Sequence, residues 1–562
     1  MPRGPVHHPR PATLLRRCAR RRNPRGEAKG ARRGPVANQA PRPAANAPPA
    51  LRASSQSPRR SRRRTTRPRC RAAFPSAAPV PILARHNGNG HLAPYGITDG
   101  IARGLEGVQA GLSGLFFEPR LRLGVTGLAR AGKTVFITGL IANLMARGRM
   151  PQLRAAAEGR IETVHLQPQP DDTLPRFDYE SHLAALTGDA PRWPDSTRSI
   201  SELRLSFRAR PGGWFAGMRG PQVLHLDIVD YPGEWLLDLG LMDKTYARWS
   251  EDVLDRLARR REGAAFLAEA RAADGARALN EPEAQALARS FTAYLAAARA
   301  AGFSDCTPGR FLLPGDLAGS PVLTFAPLPR PDTTPRGSLW REMDRRFEAY
   351  KDRVVTPFFR DHFARIDRQV VLVDVLEALH RGPPAVEDLR RAMADVLGAF
   401  RVGQTGWLAS LLGARRVERI LFAATKADHL HHEQHPQLAA IAEALLAEAK
   451  GRAAYAGAEV AAMAIAGLRT TVEEVVERDG ERLPAVRGRL LSTGRQAVMY
   501  PGALPRDPAR VLSPAREGAE RWLDADYGLM AFAPARMALA PGEGLPHIRL
   551  DRAAEFLIGD RL

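Results

Sequence analysis

The stretch LRLGVTGLARAGKTVFITGLIANLM, residues 121–145, decides how the rest of the chain is read. A short apolar run, Leu121 to Val125, has the length of a buried strand. It passes into GLARAGKT (127–134), which fits G-x-x-x-x-G-K-[ST], and an apolar helix is predicted from about Lys133. Strand, glycine loop and helix in that order are the context in which this pattern holds a phosphate. Gly127 and Gly132 permit backbone angles that other residues resist, so successive N–H groups can turn onto anionic oxygens. The contacting candidates are Gly127, Ala129, Arg130, Ala131, Gly132, Lys133, Thr134 and Val135. Lys133 would bring a point charge to the terminal phosphates and act in catalysis. Thr134 would offer its hydroxyl to Mg2+, at a helix start whose dipole also favours the anion.

Outward from this stretch, strands and helices alternate. SELRLSFRA (201–209) alternates as a half-buried strand and VLHLDIVD (223–230) reads as its neighbour, whereas 151–200 reads as loop-rich. RQVVLVDVL (368–376) is a continuous apolar run, as in strands buried on both faces, and VERILFAATKAD (417–428) and AEVAAMAIAG (458–467) follow. Helical segments AVEDLRRAMADVLGAF (385–400) and PQLAAIAEALLAEAKGRAA (436–454) separate them. The implied class is α/β, a P-loop NTPase type of doubly wound, mostly parallel sheet. Charged helical segments at 248–261, 283–302 and 339–363 form an inserted α-helical domain, 237–366, between the first part of the sheet domain (93–236) and its second part (367–480). A C-terminal part, 481–562, holds the β-like RGRLLSTGRQAVMY (487–500) and a closing helix, DRAAEFLIGDRL (551–562).

Residues 1–92 read as a basic, low-complexity, disordered tail, or as sequence upstream of the true start. Positions 1–90 hold 22 of the 83 Lys and Arg with a single acid, Glu27, and 91–562 then hold 61 bases against 59 acids. The net +23 therefore sits almost wholly in the tail, and no domain-wide basic face for nucleic acid is implied. Cys18, Cys70 and Cys306 form neither a metal spacing nor a disulfide frame, which fits a reducing compartment. No run of about 18 apolar residues spans a membrane. An amphipathic helix over 96–117 could lie on a membrane or pack on the domain, packing being the more common outcome.

Two further motifs carry chemistry. In LDIVDYPG (226–233), Asp230 ends an apolar strand where an acid can hold Mg2+ through water, and Gly233 can offer its N–H to a terminal phosphate. Asp227, within the strand, reads as a structural hydrogen-bonding partner. In TKAD (425–428), Thr425, Lys426 and Asp428 follow the strand ILFAA; a carboxylate here can accept from a guanine's N1–H and exocyclic amine, donors that adenine lacks in that arrangement. Asp428 is thus the guanine reader, and the stem of Lys426 would pack over the base and brace the phosphate loop. Two weaker sites complete the set: the N–H of Ala466 for the guanine oxygen, and Ser196 or Thr197 to sense the third phosphate and complete the Mg2+ shell.

Together these residues resemble the YcjX family of bacterial P-loop GTP-binding proteins. The resemblance rests on RLGVTGLARAGKT (122–134), RWPDSTRSISELRL (192–205), LDIVDYPGEWLLDLGLM (226–242), DRQVVLVDVLEAL (367–379), TKADHL (425–430) and GLPHIRLDRAAEFL (544–557), and covers about 95–562. It implies a GTPase-like core with a large helical insertion, GTP or GDP plus Mg2+ as ligands, and a cytoplasmic protein encoded beside envelope-stress genes. A stress-related role, an unknown protein partner and a peripheral contact at the inner membrane face belong to the same expectation.

Where many small GTPases carry a water-orienting glutamine, just after the D-x-x-G glycine, this chain has Glu234. Its negative charge near the terminal phosphate predicts slow turnover. Arg130 either supplies a cis positive charge or faces solvent. HLHHEQH (429–435) reads first as a solvated helix start, with a metal site as the minor alternative, and the basic run DRLARRREG (255–263) as a solvated face. The leading functional reading is a slow GTP-hydrolysing switch. A self-assembling, membrane-associated GTP-dependent scaffold and, more weakly, an ATPase are the alternatives.

Overall fold

A computed structural model of the chain describes residues 119–562 apart from 129, 196–198, 213–219, 400–416, 456–457 and 523–524. The basic tail and the 96–117 segment lie outside the described residues.

Seven strands form the main sheet: β1 (Arg120–Gly127), β2 (Ile161–Gln167), β3 (Ser201–Ala209), β4 (Gln222–Asp230), β5 (Arg368–Val373), β6 (Arg419–Ala424) and β7 (Glu459–Ala464), in the order β2-β3-β4-β1-β5-β6-β7. The pairs β4–β1, β1–β5, β5–β6 and β6–β7 are parallel, and β2–β3 and β3–β4 are antiparallel. Eight helices matter for the site: α1 (Lys133–Ala146), α2 (Tyr246–Leu257), α3 (Glu281–Ala300), α4 (Leu339–Tyr350), α5 (Val375–Arg381), α6 (Pro383–Ala399), α7 (His435–Tyr455) and α8 (Leu550–Ile558).

Strand side chains alternate between faces. Val370 and Leu372 of β5 face a core with Phe136 and Leu140 of α1 and Leu550 and Leu557 of α8. Val371 and Val373 face the opposite core, with Leu376, Val386 and Leu438 of α5, α6 and α7. All six residues of β5 are buried, which is why it reads as a continuous apolar run.

β3 corrects the half-buried expectation. Every residue in it but Arg208 is buried. Its alternation is real, but Glu202, Arg204 and Ser206 are paired across strands instead of facing water, and only Arg208 stays exposed. Glu202 accepts from Arg122 at 2.8 Å, Arg204 grips Asp227 bidentately at 2.5 and 2.8 Å, and Ser206 lies 2.7 Å from His225 Nδ1. Burial of polar groups is tolerated where each finds its partner.

The loop-rich reading of 151–200 also needs correction. It holds the edge strand β2, with Ile161 as its one fully buried residue, and a helix at Tyr179–Thr187 capped by Asp178, whose carboxylate accepts from Ser181 N. Beyond β7, a separate antiparallel sheet is built from β8 (Val472–Arg478), β9 (Glu481–Arg489) and β10 (Gln496–Met499).

The helices between β4 and β5 are not an appendage on a stalk. Their aromatic centre, with Trp249 stacked on Phe347 at 5.0 Å and edge-on to Phe291 at 5.9 Å, belongs to one continuous apolar cluster with Val229, Val371 and Phe422 of the sheet. Among the described residues no helix is long and apolar enough to cross a membrane.

Candidate functional site

Parallel pairing sets the C-terminal ends of β4, β1, β5, β6 and β7 side by side, with Val125 opposite Asp230, Gly127 opposite Leu372, and Ala424 opposite both Val373 and Ala464. In open α/β sheets the crevice outside these ends is where ligands bind. A cavity of about 720 Å3 lies there.

Its floor is the glycine loop. Arg130 and Gly132 adopt left-handed backbone conformations, with φ of 62° and 77°. Leu128 N–H donates to Leu372 O at 3.1 Å, tying the loop's start to β5, and Gly132 caps α1. Gly127, Arg130, Ala131, Gly132, Lys133, Thr134 and Val135 all line the cavity, with the side chain of Arg130 exposed. Lys133 Nζ sits 2.7 Å from Asp230 Oδ1 and donates to Tyr231 O at 2.9 Å. Asp230 is 1% exposed, and beyond this ion pair neither carboxylate oxygen has a hydrogen-bond partner among the described residues. A buried carboxylate so poorly compensated suits a cation and fits a Mg2+ site. Gly233 packs on the loop so tightly that a Cβ would collide with the Gly127 carbonyl.

Asp227 lies within β4, fully engaged by Arg204 as a structural pair. Glu234 lines the cavity nearly buried, and its carboxylate is not free: Arg299 Nη2 from α3 lies 2.7 Å away.

From the loops after β6 and β7, Thr425, Lys426, Asp428 and Ala466 line the same cavity. Asp428 is 4% exposed, and its Oδ2 accepts both from Thr470 N (3.0 Å) and from Thr470 Oγ1 (2.7 Å). The carboxylate is thereby held in one orientation. Two expectations change here. The Ala466 N–H donates to Ile548 O at 3.0 Å, so it is not available for a base oxygen; the following residues that line the cavity are Gly467 and Leu468. Gly467 is pressed on α1, where a Cβ would come within 2.9 Å of Phe136 Cα. Lys426, held at a left-handed φ of 59°, pairs its ammonium with Asp374 at the end of β5 and not with the phosphate loop.

Ala129, Ser196 and Thr197 lie outside the described residues. The histidine stretch divides. His429 is buried edge-on to Phe532 at 5.3 Å, and burial lowers its pKa. The buried His435 donates from Nε2 to Ala427 O at 2.8 Å. Among the described residues, only His431 and His432, with Glu433, bring ligand atoms within 4.8 Å of one another, and His432 is already taken up by Glu473 at 2.6 Å.

Thr470, Arg299 and Asp374 escaped the sequence reading. Thr470 could have been suspected as a hydroxyl just past the last parallel strand; Arg299 carries no local signal. If the cavity holds a guanine nucleotide, Thr470→Val should weaken its binding by about 5–10-fold, because one donor to Asp428 is lost while the backbone donor stays. Titration with a fluorescent guanine nucleotide reads this directly, and unchanged affinity would remove Thr470 from the site.

A family model described as "YcjX-like family, DUF463" matches residues 121–562. The chain is 38% identical over 459 residues to a protein of Escherichia coli (strain K12) named "Ras-like GTPase YcjX", a match covering 79% of this chain and 96% of that protein. A protein of the same name from Shewanella oneidensis is 34% identical over 471 residues, covering 79% of this chain and 95% of its own length.

Proposed function

This chain belongs to the YcjX-like family, and on that premise we propose that it is a guanine-nucleotide-binding protein of P-loop NTPase type, a slow GTPase that works as a nucleotide-dependent switch. The observation that supports this reading is that one cavity is lined by Lys133, Gly233 and Asp428, residues far apart in the sequence.

In this reading the loop N–H groups and Lys133 bind the phosphates, and Gly233 offers its N–H to the terminal one. Asp428 accepts from the guanine N1–H and amine, with Gly467 or Leu468 as the donor to its oxygen. Mg2+ would be held by Thr134 and, through water, by Asp230, with Thr197 as a further candidate. When bound, the ion neutralises charge on the terminal phosphate oxygens. Glu234 is the candidate to orient the attacking water. The GTPase-like domain would then be 93–236 with 367–480, interrupted by 237–366, and the proposed site of action is the cytoplasm.

The switch is supported by how firmly the segment after Gly233 is fastened to residues 309–313 and to α4. Asp238 accepts from Gly309 N at 2.7 Å and from Tyr350 OH of α4 at 2.5 Å. Trp235 donates to Leu313 O at 3.2 Å, and the Arg310 guanidinium lies 3.2 Å over its ring. A shift at Gly233 on nucleotide exchange therefore carries the insertion with it, toward or away from an unidentified protein partner. Phosphate release by the full chain tests the reading. Turnover with GTP and Mg2+ on the order of 10⁻² per second or slower is expected; equal or faster release from ATP would contradict it.

A further inference from the structure

We propose that Arg299 is the cis-acting arginine of GTP hydrolysis and that its ion pair with Glu234 is a resting latch which the terminal phosphate of GTP exchanges; this rests on the nucleotide reading above. Arg299 stands in the last turn of α3, in the insertion, yet lines the cavity together with Lys133, Gly233 and Glu234. Its Nη2 is 2.7 Å from Glu234 Oε1, with 34% of the arginine side chain exposed against 9% of the glutamate's.

Of the other cations along the cavity wall, Arg130 of the glycine loop is exposed, and three more are committed elsewhere. Lys133 holds Asp230 and Tyr231 O, Lys426 pairs with Asp374, and Arg381 binds Glu377 and donates to Ala301 O at 2.6 Å. The last of these also pins the end of α3, one residue beyond its final helical position, against α5. Arg299 is thus delivered by a fixed helix end to the residue that follows Gly233. The main chain of Glu234 is held too, since a Cβ on Gly309 would collide with the Glu234 carbonyl.

The chemistry of the exchange follows from charge. A partly exposed single ion pair is weak, whereas a terminal phosphate offers three anionic oxygens to a planar fork of donors. Arg299 turning from Glu234 to the phosphate does two things at once. It adds positive charge where negative charge develops, and it leaves the Glu234 carboxylate free to accept a hydrogen bond from water. The water oxygen then bonds to the terminal phosphorus, the bond from that phosphorus to the bridging oxygen breaks, and its electron pair stays on GDP. The protons of the water leave with inorganic phosphate, and nothing is oxidised or reduced.

The test uses the full chain and three variants, Arg299→Ala, Glu234→Gln and the double variant Arg299→Gln/Glu234→Gln, with GDP and GTP titration, single-turnover hydrolysis and capture of GDP by aluminium fluoride. Arg299→Ala should lower the hydrolysis rate about 100-fold or more while GDP affinity stays within about 3-fold, and aluminium fluoride should no longer trap GDP. Glu234→Gln should keep the trapping, because Arg299 remains. The double variant, which leaves no unpaired buried charge, should still fail to hydrolyse or trap. Hydrolysis by Arg299→Ala within about 3-fold of the unmodified chain overturns the inference. So does a lowered rate with trapping intact, which marks a merely structural residue. An unmodified chain that fails to bind GTP overturns the nucleotide reading itself, and this inference with it.

Discussion

Asp428→Asn is expected to exchange the base that the cavity accepts: GTP affinity falls about 100-fold or more, and xanthosine triphosphate becomes the better ligand. The argument is one of donors and acceptors. Guanine presents N1–H and an amine to the carboxylate; xanthine keeps N1–H but has a carbonyl in place of the amine. An asparagine at 428 could point either way, and Thr470 decides which. Its N–H and hydroxyl both donate to the present Oδ2 position, so the amide oxygen must sit there and the NH2 must face the base. That NH2 opposes guanine's amine and donates to xanthine's carbonyl. Competition titration with the two triphosphates measures the exchange. GTP bound as tightly as before would remove Asp428 from base recognition.

Lys133→Ala is expected to cost at least about 100-fold in affinity for both GTP and GDP, since one charge-assisted contact to the phosphates is removed. It should also destabilise the fold. Asp230, 1% exposed, loses the cation 2.7 Å from it, and breaking a buried pair from one side costs about 3–5 kcal/mol. The double variant Lys133→Ala/Asp230→Asn separates the two effects. It should recover most of the melting temperature and none of the nucleotide affinity. Recovery of binding in the double variant would mean that Lys133 serves only to neutralise Asp230.

What was legible in the sequence was the placement of motifs compressed into contiguous residues. GLARAGKT, DYPG and TKAD each sit where an apolar strand ends, so strand and motif identify one another, and the sheet brings all three to one crevice. What was not legible depends on partners distant in the chain. β2 buries fully only Ile161 and so lacks an apolar signature. The polar face of β3 reads as solvent-facing because its partners, Arg122, Asp227 and His225, lie on other strands. The Ala466 amide is claimed by Ile548, and Lys426 by Asp374, neither of which a local pattern announces. Helical periodicity revealed the insertion but not that its aromatic cluster is continuous with the sheet's core, nor that its Arg299 reaches the cavity.

The central claim is that the cavity at the ends of the parallel strands is a guanine-nucleotide site. Calorimetric titration of the full chain with GTP, GDP and ATP in the presence of Mg2+ tests it most directly. GTP and GDP should each bind with one site per chain and about 100-fold or more tighter than ATP, the discrimination falling away in Asp428→Asn. ATP bound as tightly as GTP, or a GTP affinity indifferent to Lys133→Ala, would contradict the account.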